Sequence, residues 1–142
     1  MPLQLEIVTP ERLAYQDEVD AVVLPGIEGE LGVLPHHAPL VSMLGVGELR
    51  IRKGGNEESF AIVGGVLQVR PDTVVVMAET ADLAGEIDLE RAQEARREAE
   101  RALESGYSEG ADLSAARAAL QQALLRIRVA ERRHREGRRH GG

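Results

Sequence analysis

The 142-residue sequence predicts an α+β protein: an N-terminal antiparallel β-sandwich, or flattened barrel, over residues 1–85, followed by a C-terminal α-helical hairpin with a basic tail over residues 86–142. Three observations carry this expectation. Short apolar stretches separated by glycine and proline fill the first 80 residues, the texture of a sandwich. No helix-length segment interrupts them, so the βαβ crossover of a nucleotide-binding sheet has nowhere to form. After about residue 85, Ala, Arg and Glu recur at helical spacing.

Leu3, Leu5 and Ile7 alternate with Gln4 and Glu6, the period of a strand with one buried face, and Pro10 ends the run. Val19, Ala21 and Val23 form a second alternating set that Leu24 carries to a Pro25-Gly26 turn. Further strands are expected over Leu31 to Leu34, Leu40 to Leu44, Val46 to Arg52, Ser59 to Val63, Gly65 to Val69 and Thr73 to Ala78, with Gly45 and Gly64 among the breaks. That makes eight or nine short strands. Residues 79–87 leave the last of them.

Asp88 is placed as an N-cap, since its short carboxylate reaches the free amides of a first helical turn. Leu89, Ala92, Ala95, Ala99, Ala102 and Leu103 then recur every three or four residues. Asp112 or Ser114 caps the second helix, with Leu113, Ala116, Leu120, Ala123, Leu124, Ile127 and Ala130 on its stripe, and the turn falls within Gly106 to Asp112. The seam between the helices is mostly alanine. It buries little area, so the hairpin is expected to be weakly fixed and able to change position.

Composition excludes several classes of function. Without cysteine there is no thiolate nucleophile, disulfide or thiolate metal site, and His36, His37, His134 and His140 are not spaced as a zinc set. Three aromatic residues, Tyr15, Phe60 and Tyr107, offer no platform for stacking bases, so nucleic acid is not an expected partner. No apolar run reaches bilayer length and Met1 to Glu6 carries no basic leader; the chain is expected in a cytosol or organelle matrix, where it can still sit against a membrane complex. Residues 1–80 hold 5 basic and 12 acidic side chains against 12 of each in 81–142, so the net charge of −7 belongs to the first half. From Arg126 onward seven arginines face two glutamates, an end suited to an acidic surface or, equally, a solvated tail.

No catalytic set emerges. His36-His37 lies between prolines without an Asp or Ser partner at a recognisable spacing, and Ser42 and Ser59 are not in a nucleophile elbow. Glu28 and Glu30 read as a charged loop rim. Asp88 and Arg91 near a helix start, with Arg126 on the second helix, form either a cap with solvated arginines or a carboxylate and guanidinium set for a nucleotide.

The run from Val22 to Leu40, which includes Pro25-Gly26-Ile27-Glu28-Gly29-Glu30-Leu31-Gly32 and Pro35-His36-His37-Ala38-Pro39, resembles the epsilon subunit family of rotary F-type ATP synthases, called delta in mitochondria. Phe60 to Val69 and Val74 to Ala81 extend the resemblance to nearly the whole chain. It implies a non-catalytic rotor subunit that couples the gamma subunit to the c-ring and resists ATP hydrolysis through a movable hairpin. The alternative is an ATP-sensing module whose hairpin closes on nucleotide. The resemblance also implies a gamma and c-ring interface at Glu28, Glu30, His37, Leu40 and Ser42, and contact of Arg126, Arg128, Arg132 and Arg133 with beta subunits of the alpha/beta head. No cofactor is required. A weak regulatory ATP site is implied by Ile87-Asp88-Leu89-Glu90-Arg91-Ala92 together with Arg126; Gln122 stands where family members that bind ATP carry another arginine.

Overall fold

The computed structural model describes residues 2–105 and 110–141, with side chains except those of 110–112 and 134–141. It divides into two compact units, Met1–Leu83 and Ala84–Gly142. The first is a sheet of seven strands, β1 (Leu3–Val8), β2 (Leu13–Val19), β3 (Ala21–Gly26), β4 (Gly29–Val33), β5 (Leu40–Lys53), β6 (Asn56–Val69) and β7 (Thr73–Leu83). Their order across the sheet is β2-β1-β7-β6-β5-β3-β4. Neighbours are antiparallel except β1 and β7, which run parallel from Gln4 beside Thr73 to Val8 beside Met77.

One sheet makes two layers because β5, β6 and β7 bend together. On β5 the inward side chain is Leu44 before the bend and Leu49 and Ile51 after it. On β6 Phe60 and Ile62 precede the bend and Leu67 and Val69 follow it, and on β7 Val74, Val76 and Ala78 are followed by Ala81. Each strand therefore skips one step in its inside–outside alternation at the same place. Pairing stays in register across it, with Leu44 opposite Gly65 and Val46 opposite Val63. Glycine makes this possible: Gly64 and Gly65 sit at φ 59° and 128°, and a Cβ on Gly65 would lie 2.1 Å from the Met77 carbonyl oxygen.

All seven strands feed one core of aliphatic side chains around Phe60. Tyr15 of β2 meets Phe60 edge-to-face, with ring centroids 5.8 Å apart. Lys53 pairs with Asp17 and the Gly54 amide donates to Asp20 Oδ2 at 2.8 Å, tying the β5–β6 turn to the β2–β3 corner.

Several expectations are corrected here. Gly45 and Gly64 do not end strands; they lie within two 14-residue strands and bend them. Leu13–Val19 is a strand that was not anticipated, because it is an edge whose exposed positions carry polar groups such as Asp17 and Glu18 and so lack a strong apolar alternation. Val19 ends β2 and Ala21 begins β3, so the two are not one alternating set. The turn expected at Pro25-Gly26 is made by Ile27 and Glu28, with Gly26 paired to Gly29 as the closing residues. Residues 79–83 continue β7 instead of leaving it.

The second unit opens with a 3-10 turn, Ala84–Glu86, and continues as α1 (Leu89–Glu104) and α2 (Gly110–Gly141). Asp88 caps α1: its carboxylate accepts from the Arg91 amide at 3.2 Å. The expected caps of α2 are displaced, since the helix begins at Gly110 and both Asp112 and Ser114 fall inside it. The expected turn includes residues 106–109, outside the described residues.

Ala92 and Ala99 on α1 and Ala116 and Ala123 on α2 are buried, the alanine seam in both helices. Ala95 and Ala102 are exposed, and so is Leu124, at 47%. The buried set on α2 instead takes in Leu125 and Val129, four apart on a second face that continues to Arg133. The Arg133 guanidinium lies against Gly85 of the 3-10 turn, where a Cβ would meet Nε at 3.0 Å. On α1, Gln93 Oε1 and Arg96 Nε are buried without hydrogen-bond partners; Arg96 Nε is 3.4 Å from Glu100 Oε1 but misaligned for a hydrogen bond.

Two outcomes test this account. Gly65→Ala should destabilise the sandwich by about 3 kcal/mol or more in urea unfolding, through overpacking and strain together, whereas Gly54→Ala, at φ 57° with open space around it, should cost about 1 kcal/mol. Equal costs would remove the bend argument. The hydrogen bond from Lys53 holds the Asp17 carboxyl below its ordinary range and raises the lysine. The carboxylate's contribution to stability is thus present above its unfolded pKa and fades as pH falls through the depressed folded value. Carboxyl-carbon NMR should show Asp17 titrating low in the native protein and returning toward the ordinary value in Lys53→Ala; an unmoved titration would dismiss the pair.

Candidate functional site

Alternation on a strand buries one face and presents the other, so the outward side chains of the layer formed by β5 and β7 before the bend and β6 after it define a surface. Met43 of β5 stands opposite Val66 of β6, Val66 opposite Met77 of β7, and Met77 beside Val8 of β1. Ile27, at the β3–β4 turn, donates its amide to the Met43 carbonyl at 3.3 Å and extends the row. The side chains form a continuous apolar stripe across the sheet: Ile27 is 62% exposed, Val41 69%, Met43 59%, Val66 37% and Met77 48%. Single exposed apolar residues are ordinary, but a contiguous row marks a surface that another molecule covers.

Beside the stripe lies the turn-rich end of the sandwich. Glu28 is exposed at the β3–β4 turn, and Glu30 on β4 accepts from Arg50 Nη2 at 3.0 Å. His36 adopts a left-handed conformation, φ 68°, and its amide donates to the Pro71 carbonyl at 2.6 Å. His37 Nδ1 donates to the Ala38 carbonyl at 2.8 Å, leaving Nε2 as the remaining polar atom of the ring.

Leu40 and Ser42, singled out in the sequence, lie on the half-buried face of β5, where Leu40 packs against the core. The outward positions of that strand are Val41 and Met43, which sequence reasoning passed over. A signal was present: Leu40, Val41, Met43 and Leu44 make both faces of the strand apolar, although only one face can point into the core.

In the helical unit, Asp88 is engaged as the cap, Arg91 is exposed, Ala92 is buried in the seam and Ile87 is half-buried. Ala92 and Ala99 are spaced seven apart, as are Ala116 and Ala123, so each helix presents a buried alanine every two turns. Arg126 is half-buried on α2. Arg128 and Arg132 lie four apart on α2 and Arg126 and Arg133 seven apart, which sorts the basic run into two stripes. Among the described residues there is no cluster of His, Asp or Glu that could hold a metal ion, and no helix long and apolar enough to cross a membrane.

Comparison with known proteins agrees with this architecture in both units. The family model described as ATP synthase, Delta/Epsilon chain, beta-sandwich domain matches residues 2–84, and that described as ATP synthase, Delta/Epsilon chain, long alpha-helix domain matches residues 86–131. An ATP synthase epsilon chain of Dehalococcoides mccartyi is 49% identical over 92% of this chain and 94% of its own length. One from Desulforamulus reducens is 48% identical over 90% of this chain and 96% of its own. A chain of the Euglena gracilis mitochondrial ATP synthase, solved as OSCP, F1 and c-ring, superposes with a TM-score of 0.74 at 28% identity, covering 84% of this chain and 76% of that one. A chain from the central stalk and c-ring of the Tetrahymena thermophila mitochondrial enzyme shares the fold, at a TM-score of 0.57 and 14% identity over 92% of this chain and 97% of that one. With both units matched by the family's domain models and identity near one half over nine-tenths of its length, the chain belongs to the ATP synthase delta/epsilon chain family.

Proposed function

We propose that this chain is a non-catalytic rotor subunit of an F-type ATP synthase, seated on the gamma subunit through the apolar stripe and on the c-ring through the turn-rich end of its sandwich. The observation that carries this reading is the stripe itself, Ile27, Val41, Met43, Val66 and Met77, outside a sandwich that already has a complete core. A part that transmits torque needs a stiff body with a broad apolar contact. Glu28, Glu30 and His37 lie at the turns that would face the ring and shaft, while Leu40 and Ser42 support the outward face from behind. The chain would sit at the cytoplasmic face of the bacterial plasma membrane, held there by its complex.

The hairpin is the regulatory part in this reading. Its alanine seam and the buried Gln93 Oε1, which accepts no hydrogen bond, favour a unit that releases its packing readily, and release would let Arg126, Arg128, Arg132 and Arg133 reach acidic surfaces of the beta subunits and resist ATP hydrolysis. A second reading rests on the Asp88 cap, with Arg91 in the first turn of α1 and the half-buried Arg126 on α2: ATP binds weakly to the folded hairpin and biases it toward that form.

Met43→Ser with Met77→Ser should leave folding intact, since both residues are exposed, and weaken binding to gamma at least about thirty-fold, equivalent to roughly 2 kcal/mol of lost apolar burial. Unchanged affinity would remove the stripe as the contact. Titration of the isolated chain with MgATP, followed by calorimetry and amide exchange, should give heat together with slower exchange in α1, both lost in Arg91→Ala. No heat at millimolar nucleotide dismisses the ligand, and protection of α1 equal to that of the strands dismisses the mobile hairpin.

A further inference from the structure

The apolar stripe ends in an open cavity of about 350 Å³ lined by Val8, Thr9, Pro10, Met77, Ala78 and Glu79. Its lining is largely apolar and it belongs to the sandwich alone, at the place where β7 enters the bend. Glu79 stands at that bend, two residues after Met77. Its carboxylate rests over Gly64, where a Cβ would come within 3.2 Å of Cδ and 3.3 Å of Oε2. The bare backbone of Gly64 is thus the shelf that holds the carboxylate beside the cavity. Among the described residues, Glu79 takes part in no ion pair.

A molecule that covers the stripe must also cover this corner. Filling the cavity removes water from one side of the Glu79 carboxylate, and a carboxylate that loses hydration without gaining a cation opposes association. The first 80 residues hold 5 basic side chains against 12 acidic ones, and Arg12, near this corner, donates from Nη2 to the Ala81 carbonyl at 3.3 Å and forms no ion pair with Glu79. The compensating charge has to come from outside.

We infer that the cavity is a socket for one apolar side chain of the partner, and that an arginine or lysine next to that side chain pairs with Glu79. This rests on the proposed seating of a protein partner on the stripe, and it adds the chemistry that selects that partner: an apolar knob flanked by a cation. Apolar contact along Met43, Val66 and Met77 gives area, while the single charge at its end fixes register, because a shift of the partner along the stripe would leave Glu79 covered and unpaired.

The test uses the full chain and the gamma subunit of the same complex, with affinity measured across a range of salt for three proteins: native, Glu79→Gln and Met43→Ser. Glu79→Gln should weaken binding about ten-fold at low salt, equivalent to about 1.4 kcal/mol, and flatten the salt dependence, while Met43→Ser weakens binding with the native salt dependence retained. If Glu79→Gln keeps both the affinity and the salt dependence while Met43→Ser weakens binding, the charged socket is overturned and the seating on the stripe survives. If neither substitution matters, the seating fails and the socket with it. A dimer of the native chain that Met43→Ser dissolves would assign the stripe to a second copy and overturn the proposal as well.

Discussion

The sandwich depends on the coordinated bend of three neighbouring strands. A sheet of this size encloses a core only if part of it turns back over the rest, and turning back reverses which side chains point inward. β5, β6 and β7 make that reversal at matching positions, so the register is the same on both sides of the bend and both layers present an apolar inner face. The requirement falls hardest on Gly65, whose backbone angle and neighbouring backbone exclude a side chain, with Gly64 beside it in the left-handed region. The lever is local, but the outcome is global: without the bend, Phe60 and Leu67 could not belong to the same core.

The two units are held together internally by different means. In the sandwich, large aliphatic side chains are buried to within a few per cent, and the corners are tied by Lys53 with Asp17 and by Gly54 with Asp20. In the hairpin, the matched positions of the seam are alanines, a methyl group each, so helices approach closely while little apolar area leaves water. Capping by Asp88 and the Arg133 contact with Gly85 add support at one end. This contrast is the physical argument behind the proposed division of roles between the two units.

Much of the sandwich was legible because alternation and turn residues are local signals. Leu3, Leu5 and Ile7 announce β1 without reference to anything else. β2 was not legible, because an edge strand needs only one protected face and carries its charges where an inner strand would carry valine. The glycines were seen but misread as breaks: a glycine inside a strand and a glycine between strands look alike until the register on both sides is known. On α2 the stripe drawn through Leu124 ran past the buried Leu125 and Val129, since a helix contacted on two sides has no single apolar face to find. The cap at Asp88 was readable from its place before the run. The stripe of Met43, Val66 and Met77 was not, because it exists only after three strands are laid side by side.

The lengths of the two helices are unequal. α1 has 16 residues and α2 has 32, roughly 24 Å against 48 Å. A shorter helix cannot sheathe a longer one, so about half of α2 overhangs its mate, and the overhang is where most of the arginines lie. A helix of that length, with its arginines gathered toward the C-terminal half, spans a distance no loop of comparable size holds open. Reach is therefore built into α2 by its length alone.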